Sequence, residues 1–201
     1  MKILNIEVSP NAENSSSRKV AHYLLEKIKK DKQNVEVTTR DLNSKPVPHV
    51  TGDLVNAYFA EDGALTVEQI NLLKLSNELV DEVLNADILI ISAPMWNFGM
   101  PSVLKAWFDH VVRAGRTFSF DSEGLKGLVA GKKVYVVLSS GSIFSEGAFA
   151  AYDQFVPSIK TVLGFVGMTD VEIVRVEGTN DSKTADKAIE IVKSKIDQMA
   201  V

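Results

Sequence analysis

Two rhythms of apolar and polar residues alternate along this chain. Ile3, Leu4, Ile6 and Val8 open it as a short strand that stops at Ser9-Pro10, and the polar loop PNAENSSS leads to a helix from about Ser16 to Lys32, buried through Val20, Leu24, Leu25 and Ile28. Val35 and Val37 then alternate with polar neighbours in NVEVTTR, a second strand near a sheet edge. The long connection KPVPHVTGDLVNAYFAEDGALT carries Leu54, Val55, Tyr58 and Phe59, enough for one short helix. From Thr66, the spacing of Val67, Ile70, Leu73, Leu79, Val80 and Val83 predicts a helix that delivers the chain to Ile88–Ile91, a run suited to a strand covered on both faces.

Pro94 ends that third strand, and Pro101 suits the first position of the next helix. Leu104, Trp107, Phe108, Val111 and Val112 give this helix an apolar face, with Lys105, Asp109 and Arg113 on another and Gly115 as the stop. Thr117 to Phe120 alternate before Asp121-Ser122-Glu123-Gly124, which reads as a small excursion or hairpin outside the repeating pattern. Val134–Leu138 make a fourth strand, Phe155, Ile159, Val162 and Leu163 a helix, Val171, Ile173 and Val176 a fifth strand, and Ala188, Ile191, Val192 and Ile196 a closing helix. Strands alternating with helices predict an α/β fold, a doubly wound five-stranded parallel sheet with helices on both faces, in one domain over residues 1–201. In the strand order 2-1-3-4-5, the loops after strands 1 and 3 flank the switch-point crevice, and the loop after strand 4 shares that edge.

Composition narrows the function by exclusion. A net charge of −4 offers no basic field, so no nucleic-acid partner is expected. With no cysteine there is neither a disulfide framework nor a thiol nucleophile, and His22, His49 and His110 lack ligand spacing, so no metal is expected. No apolar segment approaches the ~20 residues of a membrane span, and the start MKILNIEVSP is no signal sequence, which predicts a cytoplasmic protein without a membrane partner.

Three loops bear chemistry. Ser9 and Ser15, Ser16 and Ser17 place hydroxyls at a helix amino-terminus, where free N–H groups and the helix dipole favour an anion, with Arg18 able to help from outside; taken alone, the triplet reads more readily as an N-cap with loop serines. Neither GxxxxGK[ST] nor GxGxxG is present, which disfavours ATP hydrolysis and Rossmann dinucleotide binding but leaves a single phosphate open. Met95, Trp96, Asn97 and Phe98 offer aromatic faces and amides to a flat ring, with Gly141 and Ser142 as further partners for its polar edge; the plain alternative is loop packing under the next helix. His110 reads as structural, and SSGSIFSEG lacks the GxSxG elbow of a serine hydrolase.

The segment PMWNFGMPSVLKAWFDHVVRAGRTF, with SPNAENSSSRK, SSGS and LGFVGMTDVEIV, resembles the FMN-dependent NADH azoreductase family of flavodoxin-like NAD(P)H:quinone and azo reductases, over nearly the whole chain. The resemblance implies FMN as cofactor, NADH or NADPH as donor, and a quinone or azo compound as acceptor, reduced by two electrons in a ping-pong cycle through flavin N5. No side chain is then catalytic, because the flavin carries the chemistry. It implies that Ser9 and Ser15 to Ser17 hold the phosphate side, Pro94 to Phe98 the ring and Ser139 to Ser142 its far edge, while Trp96, Phe118, Phe120 and Phe144 bear on the substrate. It also implies a homodimer with sites at the interface, where Phe118 and Phe120 reach the partner's pocket. Two departures stand out: Trp96 replaces the tyrosine of many relatives, and SSGS replaces a paired glycine. The competing readings are a flavodoxin-type electron carrier without reductase activity, disfavoured by ring loops nearly free of acids, and a receiver domain, which calls for an aspartate where Ser92-Ala93-Pro94 stands.

Overall fold

The computed structural model describes residues 1–60, 64–122 and 124–201. Residues Glu61, Asp62 and Gly63 of the long connection and Glu123 of the expected hairpin turn lie outside them. The elements run β1 (Lys2–Glu7), α1 (Ser16–Asp31), β2 (Glu36–Asp41), α2 (Gly52–Tyr58), α3 (Val67–Asn85), β3 (Ile88–Pro94), α4 (Ser102–Val111), β4 (Phe118–Asp121) and β5 (Gly124–Gly127). They continue with β6 (Lys133–Ser140), a 3₁₀ turn at Gly147–Tyr152, α5 (Phe155–Phe165), β7 (Asp170–Glu177) and α6 (Ser182–Asp197).

Five strands form one parallel sheet in the order β2-β1-β3-β6-β7, which is the expected 2-1-3-4-5 once the hairpin strands β4 and β5 are set apart. β3 and β6 lie in the middle of the sheet, and their residues are buried on both sides: Ile88 to Ala93 and Val134 to Ser140 alternate between two cores. Leu89, Ile91, Val134, Val136 and Leu138 meet α3, α4 and α5 through Leu79, Val83, Leu104, Trp107, Ile159 and Leu163. Ile90, Tyr135 and Val137 meet α1 and α6 through Val20, Leu24, Ile28, Ile189, Val192 and Ile196. A continuous apolar run is what a two-sided parallel strand requires.

Two helix boundaries differ from the sequence reading. Pro101 is not the first helical residue but the N-cap, with φ −55° and ψ 144°, and its carbonyl accepts the amides of Leu104 and Lys105. α4 stops at Val111, before Gly115, because the Thr117 hydroxyl folds back to donate to the Val111 carbonyl at 2.9 Å and accepts the Arg113 amide at 2.8 Å. Arg113 therefore leaves the helix and is buried, with its guanidinium 3.9 Å from the centre of the Tyr58 ring and bonded to the Ser76 hydroxyl, instead of joining Lys105 and Asp109 on the exposed face.

The expected excursion is an antiparallel hairpin of β4 and β5, fastened to the carboxyl end of α5. The Val129 amide donates to the Val166 carbonyl, and Gly127 lies so close to Gly167 that a Cβ at 127 would stand 2.3 Å from the Gly167 nitrogen. The short helix expected in the long connection is α2, resting on α3 through Leu54, Ala57 and Leu73. No helix among the described residues is long and apolar enough to cross a membrane.

Candidate functional site

The sheet register carries the three polar loops to one edge. Glu7 pairs with Ser92 and Pro94 with Ser139, so β1, β3 and β6 end together, and the Met95 amide donates to the Ser139 carbonyl at 2.7 Å.

At the end of β1 the chain turns through Ser9, whose hydroxyl accepts the Asn11 amide, and enters α1 at Ser15. Ser15 is the N-cap: its hydroxyl accepts the Arg18 amide at 3.3 Å and lies 3.1 Å from the Ser17 hydroxyl. Ser9, Ser15 and Ser17 are buried, and the amides of Ser16 and Ser17 have no hydrogen-bond partner among the described residues. First-turn amides and clustered hydroxyls at the positive end of a 16-residue helix suit a phosphate.

Arg18 does not assist from outside. It is buried, donating to Glu7 at 2.5 Å, to both oxygens of Asp41 at 2.9 and 3.0 Å, and to the Ser9 carbonyl at 2.5 Å. Its charge is spent on two carboxylates, so its part is to fix the backbone of the serine loop from below. Glu7 also meets His22 at 2.7 Å. Burial pushes the Asp41 carboxyl up, but the Arg18 bonds together with the Asn43 and Ser44 amides outweigh it and hold Asp41 below its ordinary value.

The loop after β3 is a two-residue turn. Trp96 and Gly99 exchange both backbone hydrogen bonds, at 2.9 and 3.1 Å, and the residues between them have positive φ, 46° at Asn97 and 70° at Phe98. This is the sign pattern of a type I′ turn, which Asn tolerates and Phe does not, so Phe98 holds strain of about 1–3 kcal/mol. The turn leaves the Asn97 and Phe98 amides without partners among the described residues and displays Trp96 and Phe98 at 52% and 48% exposure. Pro94 and Met95 lie half-buried beneath.

The loop after β6 faces it. Ser139 and Ser140 are buried, Ser140 donates its hydroxyl to the Ser142 carbonyl, and its own carbonyl accepts both the amide and the hydroxyl of Thr179. A Cβ at Gly141 would stand 1.9 Å from the side-chain oxygen of Asn180, so the absence of a side chain here leaves room for Asn180 to pack over the loop. Phe144 sits edge-on to Phe98 with ring centres 6.1 Å apart, and Phe149 and Tyr152 of the 3₁₀ turn complete a four-ring cluster. Phe149 and Tyr152 escaped the sequence reading, which saw no strand or helix rhythm there to mark them.

The phosphate-side serines, the ring loop and the far-edge loop are thus brought together, and free amides with exposed aromatic faces fit a flat ring bearing a phosphate. Phe118 and Phe120 are not brought there by their own chain. Phe118 packs edge-on against Phe165 at 4.8 Å and Phe120 is 79% exposed, both at the carboxyl end of α5. The amino end of that helix meets the ring loop, where the Gln154 amide donates to the Phe98 carbonyl. Eleven helical residues separate the two ends by about 16 Å. His110 is buried and bonded to the Pro48 carbonyl at 2.9 Å, and burial lowers its pKa, as befits a structural imidazole.

Comparison with known proteins agrees with this geometry. A family model described as the flavodoxin-like fold matches residues 1–200. The chain is 44% identical over 202 residues to FMN-dependent NADH:quinone oxidoreductase 2 of Hahella chejuensis, covering all of both chains. It is 44% identical over 200 residues to FMN-dependent NADH:quinone oxidoreductase 1 of Rhizobium etli, covering 99% of this chain and 98% of that one. Among solved structures, an FMN-dependent NADH-azoreductase of Bacillus anthracis in complex with FMN superposes with a TM-score of 0.85 at 26% identity, covering the whole of both chains. The chain belongs to the FMN-dependent NADH:quinone oxidoreductase family, on a flavodoxin-like fold.

Proposed function

We propose that this protein is an FMN-dependent oxidoreductase that takes electrons from NADH and passes them, two at a time and in alternation with the donor, to quinones and aromatic azo compounds. The observation that carries the reading is the meeting, at one sheet edge, of first-turn amides of α1 with an aromatic turn, the amides of both being without partners among the described residues. Bound FMN supplies hydride acceptance and return at its N5. The serine loop holds the phosphate: Ser16 and Ser17 by their amides, Ser9, Ser15 and Ser17 by hydroxyls, each bond to a charged oxygen contributing about 1.5–3 kcal/mol. Pro94, Met95, Trp96, Asn97 and Phe98 carry the ring, Asn97 and Phe98 giving amides to its polar edge. Ser139, Ser140, Gly141 and Ser142 close the far edge, and Phe144 with Trp96 bounds the place that donor and acceptor occupy in turn. No carboxylate lies between Pro94 and Met100, so water delivers the protons that the reduced acceptor takes up.

The reading includes a homodimer of one-domain chains spanning residues 1–201 in the cytoplasm, where nicotinamide donors are held. Phe120 and Leu125 of the hairpin and the following Leu128 are exposed, Phe118 packs on Phe165, and an apolar groove lined by Phe108, Val112, Val162 and Phe165 runs between α4 and α5. A second copy covers this face, and its Phe118 and Phe120 reach the pocket that their own chain holds out of their range.

The test is anaerobic. The purified protein shows an oxidised flavin spectrum that NADH bleaches in one two-electron phase and a quinone restores. Absence of bound FMN, together with no NADH oxidation in the presence of a quinone after FMN is added, overturns the reading.

A further inference from the structure

We propose that Glu177, at the end of β7, is the positioning residue of the acceptor side, and that through it the four-ring cluster is set to receive flat two-ring acceptors. The inference rests on the reading of Phe144 as an acceptor wall.

The cluster is poorly anchored by packing. Phe98, Phe149 and Tyr152 are about half-exposed, and the loop that bears Phe144 makes no regular secondary structure between Gly141 and Glu146. Polar bonds hold it instead. One carboxylate oxygen of Glu177 accepts the amides of Phe144 and Ser145, both at 2.8 Å, and the other accepts the Ser145 hydroxyl at 2.5 Å. Glu177 is itself held, because Arg175 bridges it at 3.2 Å to the buried Asp153. Asp153 in turn accepts the first amides of α5, from Phe155 and Val156, both at 3.0 Å. Next to it the Gln154 amide holds the Phe98 carbonyl. A single run of charge-assisted bonds, Asp153 to Arg175 to Glu177, therefore sets the spacing between the loop of Phe144 and the turn of Phe98. Charge-assisted bonds of this kind are the stronger ones and fix geometry as well as energy. The rings they space apart lie 5.6–6.4 Å from centre to centre, so an acceptor with two fused rings meets more than one of them and feels their placement most.

The experiment compares the FMN-loaded wild type with Glu177→Ala, Glu177→Gln, Phe144→Ala and the Glu177→Ala/Phe144→Ala double variant. Amide exchange over residues 140–147 is measured beside steady-state kinetics with a one-ring and a two-ring quinone. Glu177→Ala is expected to speed exchange at Phe144 and Ser145 about tenfold and to raise KM for the two-ring quinone about tenfold, with kcat and the one-ring KM nearly unchanged. Glu177→Gln keeps one oxygen for the two amides but loses the charge that pairs with Arg175 and makes the Ser145 hydroxyl an acceptor instead of a donor, so it is expected at about threefold in both readouts. The double variant is expected to be no worse than Phe144→Ala, because the two act on one wall. Normal exchange and KM in Glu177→Gln, or in Glu177→Ala where it folds, with a raised KM in Phe144→Ala, overturn the positioning role and leave the acceptor wall standing. An unchanged KM in Phe144→Ala overturns the wall itself, and the proposal with it.

Discussion

The two ends of the site are built on opposite principles. The serine loop is sunk into the sheet edge, its hydroxyls bonded to one another and its backbone held from below by a buried guanidinium between two carboxylates. The ring loop stands out of the fold on a turn that forces Phe98 to a positive φ and leaves its rings half-exposed. One end is finished before any ligand arrives, whereas the other keeps uncovered surface and stored strain. On the proposed reading, the first end chiefly anchors the cofactor and the second chiefly chooses the acceptor.

The largest effect that can break this contrast is expected from Arg18→Ala. It leaves Glu7 and Asp41 facing each other in a buried place, which costs about 3–5 kcal/mol of stability. Urea unfolding measures that loss, and Arg18→Ala protein that is as stable as wild type and keeps its FMN shows the serine loop to be self-supporting. Next is the division of labour. Ser17→Ala is expected to weaken FMN binding by about 10- to 100-fold, the worth of one bond to a charged oxygen. Trp96→Ala is expected to change the ranking of acceptors with FMN affinity nearly intact. Equal losses of FMN affinity in both variants, measured by fluorescence titration, erase the distinction.

Smaller still is the strain at the turn. Phe98→Ala and Phe98→Gly lose the same ring contacts with Phe144 and Tyr152, but only glycine accepts φ 70° freely, so the glycine variant is expected to be the more stable by about 1 kcal/mol. Equal melting temperatures argue that the turn is unstrained.

The smallest effect is in acid. The Asp41 carboxyl is held below its ordinary value, so its contribution is full above about pH 4 and is lost as pH falls through the depressed value. His110, lowered by burial, adds the same sign at higher pH: stability present above the ordinary imidazole range declines as the unfolded chain takes up its proton. Asp41→Asn is expected to flatten the acid limb of the stability curve, and His110→Gln the limb beginning near pH 6.5. A variant curve parallel to wild type through either window removes that residue from the account.

Much of this was legible in the residues because burial leaves a period. Ile88 to Ile91 and Val134 to Leu138 suit strands covered twice, and the loops that follow β1, β3 and β6 had to share an edge once the order was known. What stayed hidden depends on partners far apart in sequence. Arg18 looks like any charged residue of an exposed helix start until Glu7 and Asp41 are brought beneath it by the pairing of β1 and β2. Glu177 carries no mark in VRVEGTND, because its meaning comes from a loop 33 residues earlier. Pro101 and Gly115 were read one position and one turn away from their places, since the Pro101 carbonyl and the Thr117 hydroxyl, not the ring or the missing side chain, settle where α4 begins and ends.

The meeting of Gly127 with Gly167 has a consequence for how such a chain can change over generations. With backbone against backbone, position 127 cannot gain so much as a methyl group unless the hairpin lifts from α5, and position 167 is held to glycine by its φ of 98°. The base of the hairpin is therefore closed to variation, while Phe120 and Leu125 farther out are exposed. New side chains at that tip reach selection without first disturbing the core, so the surface offered to another molecule can diversify while the sheet that holds the serine loop stays as it is.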